Sequence, residues 1–198
     1  IDIGPFRLVF TQSRGRGSSA PAATREDKTI HDVRSANCWL LVAVVGATTQ
    51  IVRPAPGKDS PMITGAWIAE CKKIVEECGG TIRKFLDDGF FACWLNRDKA
   101  AIARALESLR QLQEQAMPSF TMALHHELVF SSGGKPASEE TLEGKIVDFV
   151  FRMENVAAFL GESRLMSEAA HDELKNELSC EDAGRHEMRD FEVTYQFY

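Results

Sequence analysis

The sequence lacks a hydrophobic run long enough to cross a membrane as a helix. Its longest apolar stretch, "CWLLVAVVGA" at 38–47, is about half as long as the roughly 20 residues that a spanning helix needs. No positively charged segment followed by an apolar one opens the chain, so we predict no signal peptide. Together these absences predict a cytoplasmic protein without a membrane segment.

The sequence also lacks a cysteine pattern typical of disulfides or zinc sites. Its five cysteines are odd in number, and no two of them form a C-x-x-C pair. Most lie within apolar stretches, where a free thiol behaves as a small hydrophobic side chain. We therefore expect reduced core thiols at Cys38, Cys71, Cys78, Cys93 and Cys180.

An excess of positive charge is missing as well. Lys and Arg number 23 against 29 Asp and Glu, which gives a formal net charge of −6. This balance provides no electrostatic reason to bind nucleic acid or an acidic membrane surface. The short "RGRG" at 14–17 is typical of a solvated linker. What remains is an ordinary globular composition in 198 residues, enough for one domain with appendages.

The beginning of the chain differs in composition from the rest. Residues 1–10, "IDIGPFRLVF", end in a strand-like run, and residues 11–29 are rich in Ser, Gly, Ala, Pro and charge, which is typical of a flexible linker. A strand that ends in a linker predicts the tail of an upstream domain, and "IGPFRL" resembles the last strand of forkhead-associated domains. The compact domain is predicted to span 30–198.

The first half of that domain predicts a strand, a helix and a hairpin. "CWLLVAVV" at 38–45 is typical of a strand covered on both faces. Apolar residues at helical spacing predict a helix over 63–78, which Gly79-Gly80 ends. "TIRKFL" and "FFACWL" flank Asp87-Asp88-Gly89, and Asp-Gly between apolar runs indicates a hairpin.

The second half adds more helices and strands. Asp98 as N-cap and the apolar spacing after it predict a helix over 98–115, followed by a strand at 119–130. Helices are predicted at 145–160 and 166–178, and a strand in the terminal "FEVTYQFY". This order predicts an α/β (α+β) fold: a ferredoxin-like βαββαβ core with a mostly antiparallel sheet, plus an extra C-terminal helix and strands. Many functions share that plan, so function has to be argued from a site.

The Asp87-Asp88-Gly89 triplet allows two interpretations. Asp and Gly dominate type I′ hairpin turns, so a turn alone explains it, and the local sequence favours that reading. A carboxylate at a hairpin tip is also a hard oxygen ligand for a divalent cation.

Four stretches together resemble the class III adenylate and guanylate cyclase catalytic domain, over about residues 38–198. "LVAVVGATT" (41–49) is similar to its first strand, Phe-x-Asp-Ile-x-Gly-Phe-Thr. "GGTIRKFLDDGFFACW" (79–94) resembles its Gly-Gly, Lys and Gly-Asp hairpin. "MALHHE" (122–127) is similar to its Gly-Ile-His-x-Gly strand, and "EGKIVDFVFRME" (143–154) to its Gly-x-x-Val-Asn-x-Ala-x-Arg-Leu helix.

The resemblance implies cyclase chemistry on a nucleoside triphosphate. In the family, two aspartates hold two divalent ions, which activate the ribose 3′-hydroxyl and neutralise the phosphates. Asp88 matches one of these aspartates, which implies Mg²⁺ or Mn²⁺ as the cofactor of an active enzyme. Arg152 matches an arginine that stabilises transition-state charge from the other subunit of a dimer.

The resemblance also implies substrate-binding positions. Lys84 matches the residue that contacts the purine base and Thr141 a base-selecting position, a pair that favours ATP over GTP. Gly46 and Thr48 match the loop that holds the phosphates, and Arg189 in "MRDF" matches a basic residue that contacts them.

The chain departs from the family at several of these positions. Ala43 stands where the first metal-binding aspartate belongs, and a methyl group cannot coordinate Mg²⁺. No acidic residue lies between positions 32 and 59, so a shifted register does not restore the ligand. Asp148 replaces the ribose-orienting asparagine and puts a negative charge near a polyphosphate, while Ala47 and Glu127 replace a phenylalanine and a glycine.

Two other features have simpler interpretations. His125 and His126 are neighbours on a predicted strand and point to opposite faces, so we expect one in the core and one exposed rather than a metal pair. Arg152 has the alternative of a surface ion pair with Glu154 or Asp148, which would contribute little free energy.

The residues leave more than one function open, including whether the chain is an enzyme. We favour a cyclase homology domain of a larger signalling protein that dimerises or senses nucleotide without efficient catalysis, because of Ala43 and Asp148. The alternative is an active adenylate cyclase, a homodimer that converts ATP to cyclic AMP and pyrophosphate with Lys84, Asp88 and Arg152. A heterodimer with an intact cyclase domain would supply the missing aspartate. An unrelated ferredoxin-like ligand-binding module is the third possibility.

Overall fold

The computed structural model describes residues 2–3, 6–7, 34–46, 60–115, 118–131 and 144–198. The chain divides into two compact units, Ile1–Ile30 and His31–Tyr198. In the first unit, strands β1 (Asp2–Ile3) and β2 (Phe6–Arg7) pair in antiparallel fashion. The linker predicted at 11–29 lies outside the described residues.

The second unit is built on a five-stranded sheet with the order β4-β5-β3-β6-β7. Its strands are β3 (Arg34–Val45), β4 (Thr81–Phe85), β5 (Gly89–Leu95), β6 (Phe120–Ser131) and β7 (Arg164–Met166). Neighbouring strands are antiparallel except β6 and β7, which are parallel. The predicted α/β fold with a mostly antiparallel sheet is therefore confirmed.

Four helices and a hairpin complete the second unit. The helices are α1 (Ser60–Glu77), α2 (Lys99–Gln115), α3 (Lys145–Leu160) and α4 (Glu168–Leu174). Strands β8 (Gly184–Glu187) and β9 (Thr194–Phe197) form a separate antiparallel pair. Among the helices of the described residues, none combines the length and the apolar character needed to cross a membrane.

Strand β3 has apolar cores on both of its faces. Trp39, Leu41 and Ala43 belong to a buried cluster with residues of α1, α2 and α4. The alternate residues, such as Leu40 and Val42, belong to a second cluster with residues of α3 and the β8–β9 pair. Because successive side chains of a strand point to opposite faces, a strand covered twice must be apolar throughout. This explains the uninterrupted run that predicted it.

Local chemistry sets several helix ends. The Asp98 carboxylate accepts a hydrogen bond of 2.7 Å from the Ala101 backbone N–H, which confirms the predicted N-cap of α2. Helix α3 has the predicted bounds and ends at Gly161, whose φ of 76° is left-handed. Helix α4 is shorter than predicted, because Ser167 caps its beginning and Met166 belongs to β7.

Strands β7 and β8 were not predicted. Strand β7 has three residues and exists through parallel pairing of Arg164–Met166 with Met122–Leu124. Three residues are too few to show the alternating hydrophobic pattern of a strand, and the pairing depends on a strand that lies far away in the sequence.

Candidate functional site

The β4–β5 hairpin is attached to the end of β3. The Val45 backbone N–H donates to the Asp88 carbonyl oxygen across 2.8 Å, and the Leu86 N–H donates to the Gly89 carbonyl oxygen across 2.9 Å. A Cβ atom at Gly89 would lie 2.1 Å from the Ala43 carbonyl oxygen, so only glycine permits this close approach. The hairpin tip thus holds Asp88, whose side chain is exposed, beside the end of β3.

The hairpin itself was predicted correctly, but its turn type was not. A type I′ turn needs positive φ at both central residues. Among the described residues, Asn96 and Asp190 are the only non-glycine residues with positive φ, and Gly89 is not among the positive-φ glycines. The turn therefore does not use the left-handed conformations for which Asp-Gly is selected. In this turn Asp87 and Asp88 are exposed residues with ordinary backbone conformations.

Position 43 is part of the apolar core. Ala43 has no exposed surface and lies opposite Phe90 on β5 and Met122 on β6. In the same cluster, the Trp67 ring packs against Phe90 and Phe120, with centroid distances of 5.7 and 5.0 Å. Ala43 therefore belongs to a part of the core that is built of hydrocarbon and aromatic side chains.

A buried carboxylate that sequence analysis missed lies on α3. Glu154 is 8% exposed, and the Thr121 hydroxyl of β6 donates to its Oε1 across 3.0 Å. Burial raises the pKa of Glu154, and the negative charge of Asp88 raises that pKa further, while the Thr121 hydrogen bond lowers it. The two carboxylates are therefore close enough to interact. Glu154 follows Val150 and Met153 on the buried face of α3. An acidic residue within an apolar stripe of a helix is the sequence signal that could have predicted its burial.

The described residues at this end of the sheet do not fit a two-metal centre. Over the described ranges, no three His, Cys, Asp or Glu side chains lie close enough together to hold one ion. Asp88 and Glu154 provide two carboxylates, Glu154 is already hydrogen-bonded, and Ala43 provides no ligand. Mg²⁺ requires several oxygen ligands in a near-octahedral arrangement. These residues therefore do not form a complete binding site for two divalent ions.

The predicted base and phosphate positions are only partly described. Lys84 is exposed on β4 and lies opposite Phe91, whose ring packs against Phe151 of α3. Lys84 therefore projects from the face of the sheet that α3 covers. Gly46 ends β3 with a φ of 82°, and its N–H donates to the Ser119 carbonyl oxygen across 3.2 Å. Thr48 and Thr141 lie outside the described residues.

Arg152 has a different ion partner from either predicted one. Its guanidinium donates to the Asp190 carboxylate across 2.6 Å, instead of pairing with Glu154 or Asp148. Asp190 directly follows Arg189, so two residues assigned to phosphate chemistry lie in neighbouring parts of the structure. Asp148 is exposed in the first turn of α3, one helical turn before Arg152.

His125 and His126 point to opposite faces of β6, as predicted. His125 is buried against Phe149, and its Nδ1 lies 2.8 Å from the Ser167 hydroxyl. The Glu127 carboxylate lies 3.3 Å from Nε2 and can only accept, so Nε2 carries the ring proton and Nδ1 accepts from the Ser167 hydroxyl, which itself accepts from the Ala170 N–H. Burial lowers the pKa of His125, so the ring stays neutral and structural. His126 is half-buried against Trp39 rather than exposed.

The five cysteines, all within the described residues, form no disulfide with one another. Cys38, Cys71 and Cys93 are buried, and burial raises the pKa of Cys38 and Cys71 to about 12. Thiols so far from ionising are poor nucleophiles. Cys78 and Cys180 are half-buried, so the prediction of core positions is confirmed for three of the five.

Two cavities lie elsewhere in the second unit, and the second of them is partly lined by His125, Phe149 and Ser167. One of about 380 Å³ is bordered by α2, β7 and the C-terminal segment. The other, of about 370 Å³, lies between α3, α4 and the β8–β9 pair. Neither cavity is lined by Lys84, Asp88 or Arg152.

Comparison with known proteins identifies the fold. No protein-family model and no curated protein sequence matches this chain. The solved adenylyl cyclase CyaB from P. aeruginosa superposes with a TM-score of 0.61 at 16% identity, covering 84% of this chain and 94% of that one. The adenylate/guanylate cyclase/hydrolase from Silicibacter pomeroyi gives a TM-score of 0.60 at 16% identity, covering 84% and 96%.

A third solved structure extends the similarity. The guanylate cyclase domain of RhGC from Catenaria anguillulae, in complex with GTP, gives a TM-score of 0.57 at 14% identity and covers 83% of this chain and 96% of that one. Identities this low establish the fold and leave the chemistry to be argued from the site. Residues of the second unit therefore have the fold of the catalytic domains of adenylyl and guanylyl cyclases.

Proposed function

We propose that this chain contains a class III cyclase homology domain that binds a nucleoside triphosphate and dimerises within a larger signalling protein, with impaired catalysis. The observation that carries the proposal is Ala43. It lies beside the hairpin that holds Asp88, it is fully buried in a cluster with Phe90, Met122 and Trp67, and its side chain has no oxygen to coordinate a metal ion.

The impairment follows from what in-line phosphoryl displacement requires. Two ions a few ångströms apart must stabilise both the attacking and the leaving oxygen. A site with Asp88 alone on the hairpin and an apolar residue on the neighbouring strand has lost half of the usual ligand pair. The carboxylate of Glu154 does not replace it directly, because burial and the Thr121 hydrogen bond already define its surroundings.

The groups for nucleotide binding are better preserved than those for metal binding. Lys84 projects from the α3 face of the sheet, and Arg152 and Arg189 lie on α3 and on the segment that contacts it. Positively charged side chains in these places favour the binding of a polyphosphate. Two similar domains were solved with GTP and with ATPαS, which supports a nucleoside triphosphate as the ligand. Lys84 and Thr141 favour ATP.

The alternative is an active adenylate cyclase. What favours it is Glu154, a second acidic side chain within electrostatic reach of Asp88, which would add a carboxylate oxygen ligand when it ionises. Such an enzyme would depend on Mg²⁺ or Mn²⁺ and form cyclic AMP and pyrophosphate from ATP.

One experiment separates the two functions. Cyclic AMP formation is measured on the purified chain with ATP and either Mg²⁺ or Mn²⁺, beside Asp88→Ala and the matched exposed-acid control Asp87→Ala. Impaired catalysis predicts no turnover by any of the three, together with measurable ATP binding by the wild type. Turnover that only Asp88→Ala abolishes would establish the enzyme. Failure to bind ATP would contradict the nucleotide-binding proposal.

The partner of the dimer is a separate question. In a homodimer both copies lack the first carboxylate, whereas a heterodimer with an intact cyclase domain would regain it while this chain supplies Lys84 and Arg152. To test this, cyclic AMP formation is measured after an intact cyclase domain is mixed with the purified chain, and again after it is mixed with the Arg152→Ala variant of this chain. Activity that appears only on mixing and falls with the variant supports the heterodimer.

A further inference from the structure

The ion pair between Arg152 and Asp190 joins α3 to the segment between β8 and β9. One guanidinium nitrogen of Arg152 lies 2.6 Å from Asp190 Oδ2, and the two side chains are 38% and 63% exposed. Asp148, four residues before Arg152 on α3, has the spacing of a helical ion-pair partner. The guanidinium nevertheless bonds to a residue 38 positions away in sequence.

The backbone places Asp190 for this contact. Its φ of 70° is left-handed, a conformation that few non-glycine residues adopt and that Asn and Asp tolerate best. The residues on either side are anchored: Met188 is buried, the Phe191 N–H donates to the Met188 carbonyl oxygen across 3.1 Å, and the Phe191 ring packs edge-on against Phe149 of α3. A tight turn held at both ends thus presents one carboxylate to Arg152.

We propose that Asp190 is a positioning residue that holds the Arg152 guanidinium while the nucleotide site is empty and competes with the triphosphate for it. This inference rests on the proposed nucleotide-binding function and adds its regulation. A carboxylate and a phosphate present similar pairs of acceptor oxygens to the planar guanidinium, so each can replace the other. Because the pair is exposed to solvent, it is weak enough for a polyphosphate to displace.

The competition has a direct consequence for affinity. Removal of the Asp190 charge frees the Arg152 guanidinium to bind the phosphates. We expect about a two- to fivefold gain in ATP affinity, the range that an exposed ion pair corresponds to. Adenosine has no phosphate, so its affinity should not change. If Asp190 had a purely structural role, its substitution would change the affinities for ATP and for adenosine together, or would change neither.

Calorimetric titration of the full chain with ATP and with adenosine tests the proposal. The variants are Asp190→Asn, which keeps the size of the side chain and tolerates the left-handed backbone, Arg152→Gln, and the double variant. Glu192→Gln, an exposed charge in the same segment, is the matched control. Thermal unfolding of each variant serves as the control for retention of the fold.

The expected result is tighter ATP binding by Asp190→Asn only, unchanged adenosine binding, and no gain when Arg152→Gln is also present. Equal ATP affinity of Asp190→Asn and the wild type overturns this inference alone and leaves the proposed function standing. A gain that persists without Arg152, or that Glu192→Gln matches, also overturns it, because general charge would then explain the effect. Absence of ATP binding by every chain overturns both proposals.

Discussion

The Thr121 hydroxyl lies 3.0 Å from the buried Glu154 carboxylate and 3.4 Å from the Val44 carbonyl oxygen. A hydroxyl has one proton and cannot donate to both acceptors. Both contacts are satisfied when Glu154 is protonated, because it then donates to Thr121 and Thr121 donates to Val44. This relationship links three elements, β3, β6 and α3, next to the hairpin that carries Asp88.

The first prediction concerns Glu154→Gln. Burial raises the pKa of Glu154 above the ordinary value of 4.5, so the folded state binds the proton more tightly than the unfolded state does. The stability that this provides is fully present below pH 4.5 and is lost as the pH rises through the folded-state pKa. The Gln variant keeps a donor for Thr121 without this loss. We therefore expect it to be at least as stable as the wild type at pH 8 and relatively less stable at pH 4.

Urea unfolding at pH 4, 6 and 8 measures that difference, with Glu177→Gln as the exposed control. A difference between Glu154→Gln and the wild type that does not change with pH would contradict the assigned pKa direction.

The second prediction concerns the glycine of the hairpin. In Gly89→Ala the new methyl group would lie 2.1 Å from the Ala43 carbonyl oxygen, so strand β3 or β5 must move. We expect a loss of roughly 2–3 kcal/mol in the free energy of unfolding, the upper part of the range of about 1–3 kcal/mol that is usual for overpacking. Gly65→Ala is the matched control, because its methyl group meets nothing within 4 Å and lies within α1. That variant should gain about 0.5–1 kcal/mol. Similar stabilities of the two variants would show that the close approach is unimportant.

The third prediction returns a carboxylate to position 43. The apolar cluster around Ala43 should make Ala43→Asp less stable by about 3 kcal/mol without metal, since a buried charge needs a partner. If the missing ligand alone prevents ion binding, Mn²⁺ recovers part of that loss by joining the new carboxylate to Asp88. Ala43→Asn, which is polar but uncharged, should lose about 1–3 kcal/mol and show no recovery.

Thermal unfolding with Mn²⁺ and with EDTA distinguishes these two variants. An equal response of Ala43→Asp and Ala43→Asn to Mn²⁺ would mean that more than one ligand has been lost at the site.

The fourth prediction concerns an exposed aromatic residue on α3. Phe159 is 86% exposed and lies two helical turns after Arg152, on the same stripe of the helix. Phe159→Glu should change the stability of the monomer by less than about 0.5 kcal/mol, because little surface is buried there. If the α3 face contacts a second copy, the same substitution should weaken the dimer by about tenfold or more.

Sedimentation over a wide concentration range provides that measurement. Leu128→Glu, which changes an exposed apolar residue of β6, is the control. A wild type that remains monomeric, or an equal effect of both variants, would contradict a dimer formed through α3.

Features set by neighbouring residues were predictable from the sequence. The bounds of α3 follow from its apolar period and from the glycines that flank it, and the N-cap of α2 follows from one aspartate. The hairpin around Asp88 followed from two apolar runs and a polar triplet. The turn type was wrong because the two central residues of the turn are Asp87 and Asp88, neither of which has positive φ, while Gly89 already belongs to β5.

Features that depend on distant parts of the chain were not predictable. The burial of Glu154 requires α3 to pack on β6, where Thr121 lies 33 positions away. The alternative of an ion pair for Arg152 named Glu154 and Asp148, because residues close in sequence are the only neighbours that a sequence shows. Sheet pairing and the turn at Asp190 provided a different carboxylate.

The sequence by itself determined the order of the longer helices and strands, the resemblance of four stretches to cyclase motifs and the alanine at position 43, since these depend on residue type and local spacing. The tertiary structure alone decided that Ala43 lies in an apolar core, that Glu154 lies within reach of Asp88, and that Asp190 holds Arg152. The physical reason is range: propensity and periodicity act over a few residues, whereas desolvation and charge pairing act between whichever groups the packed sheet brings together.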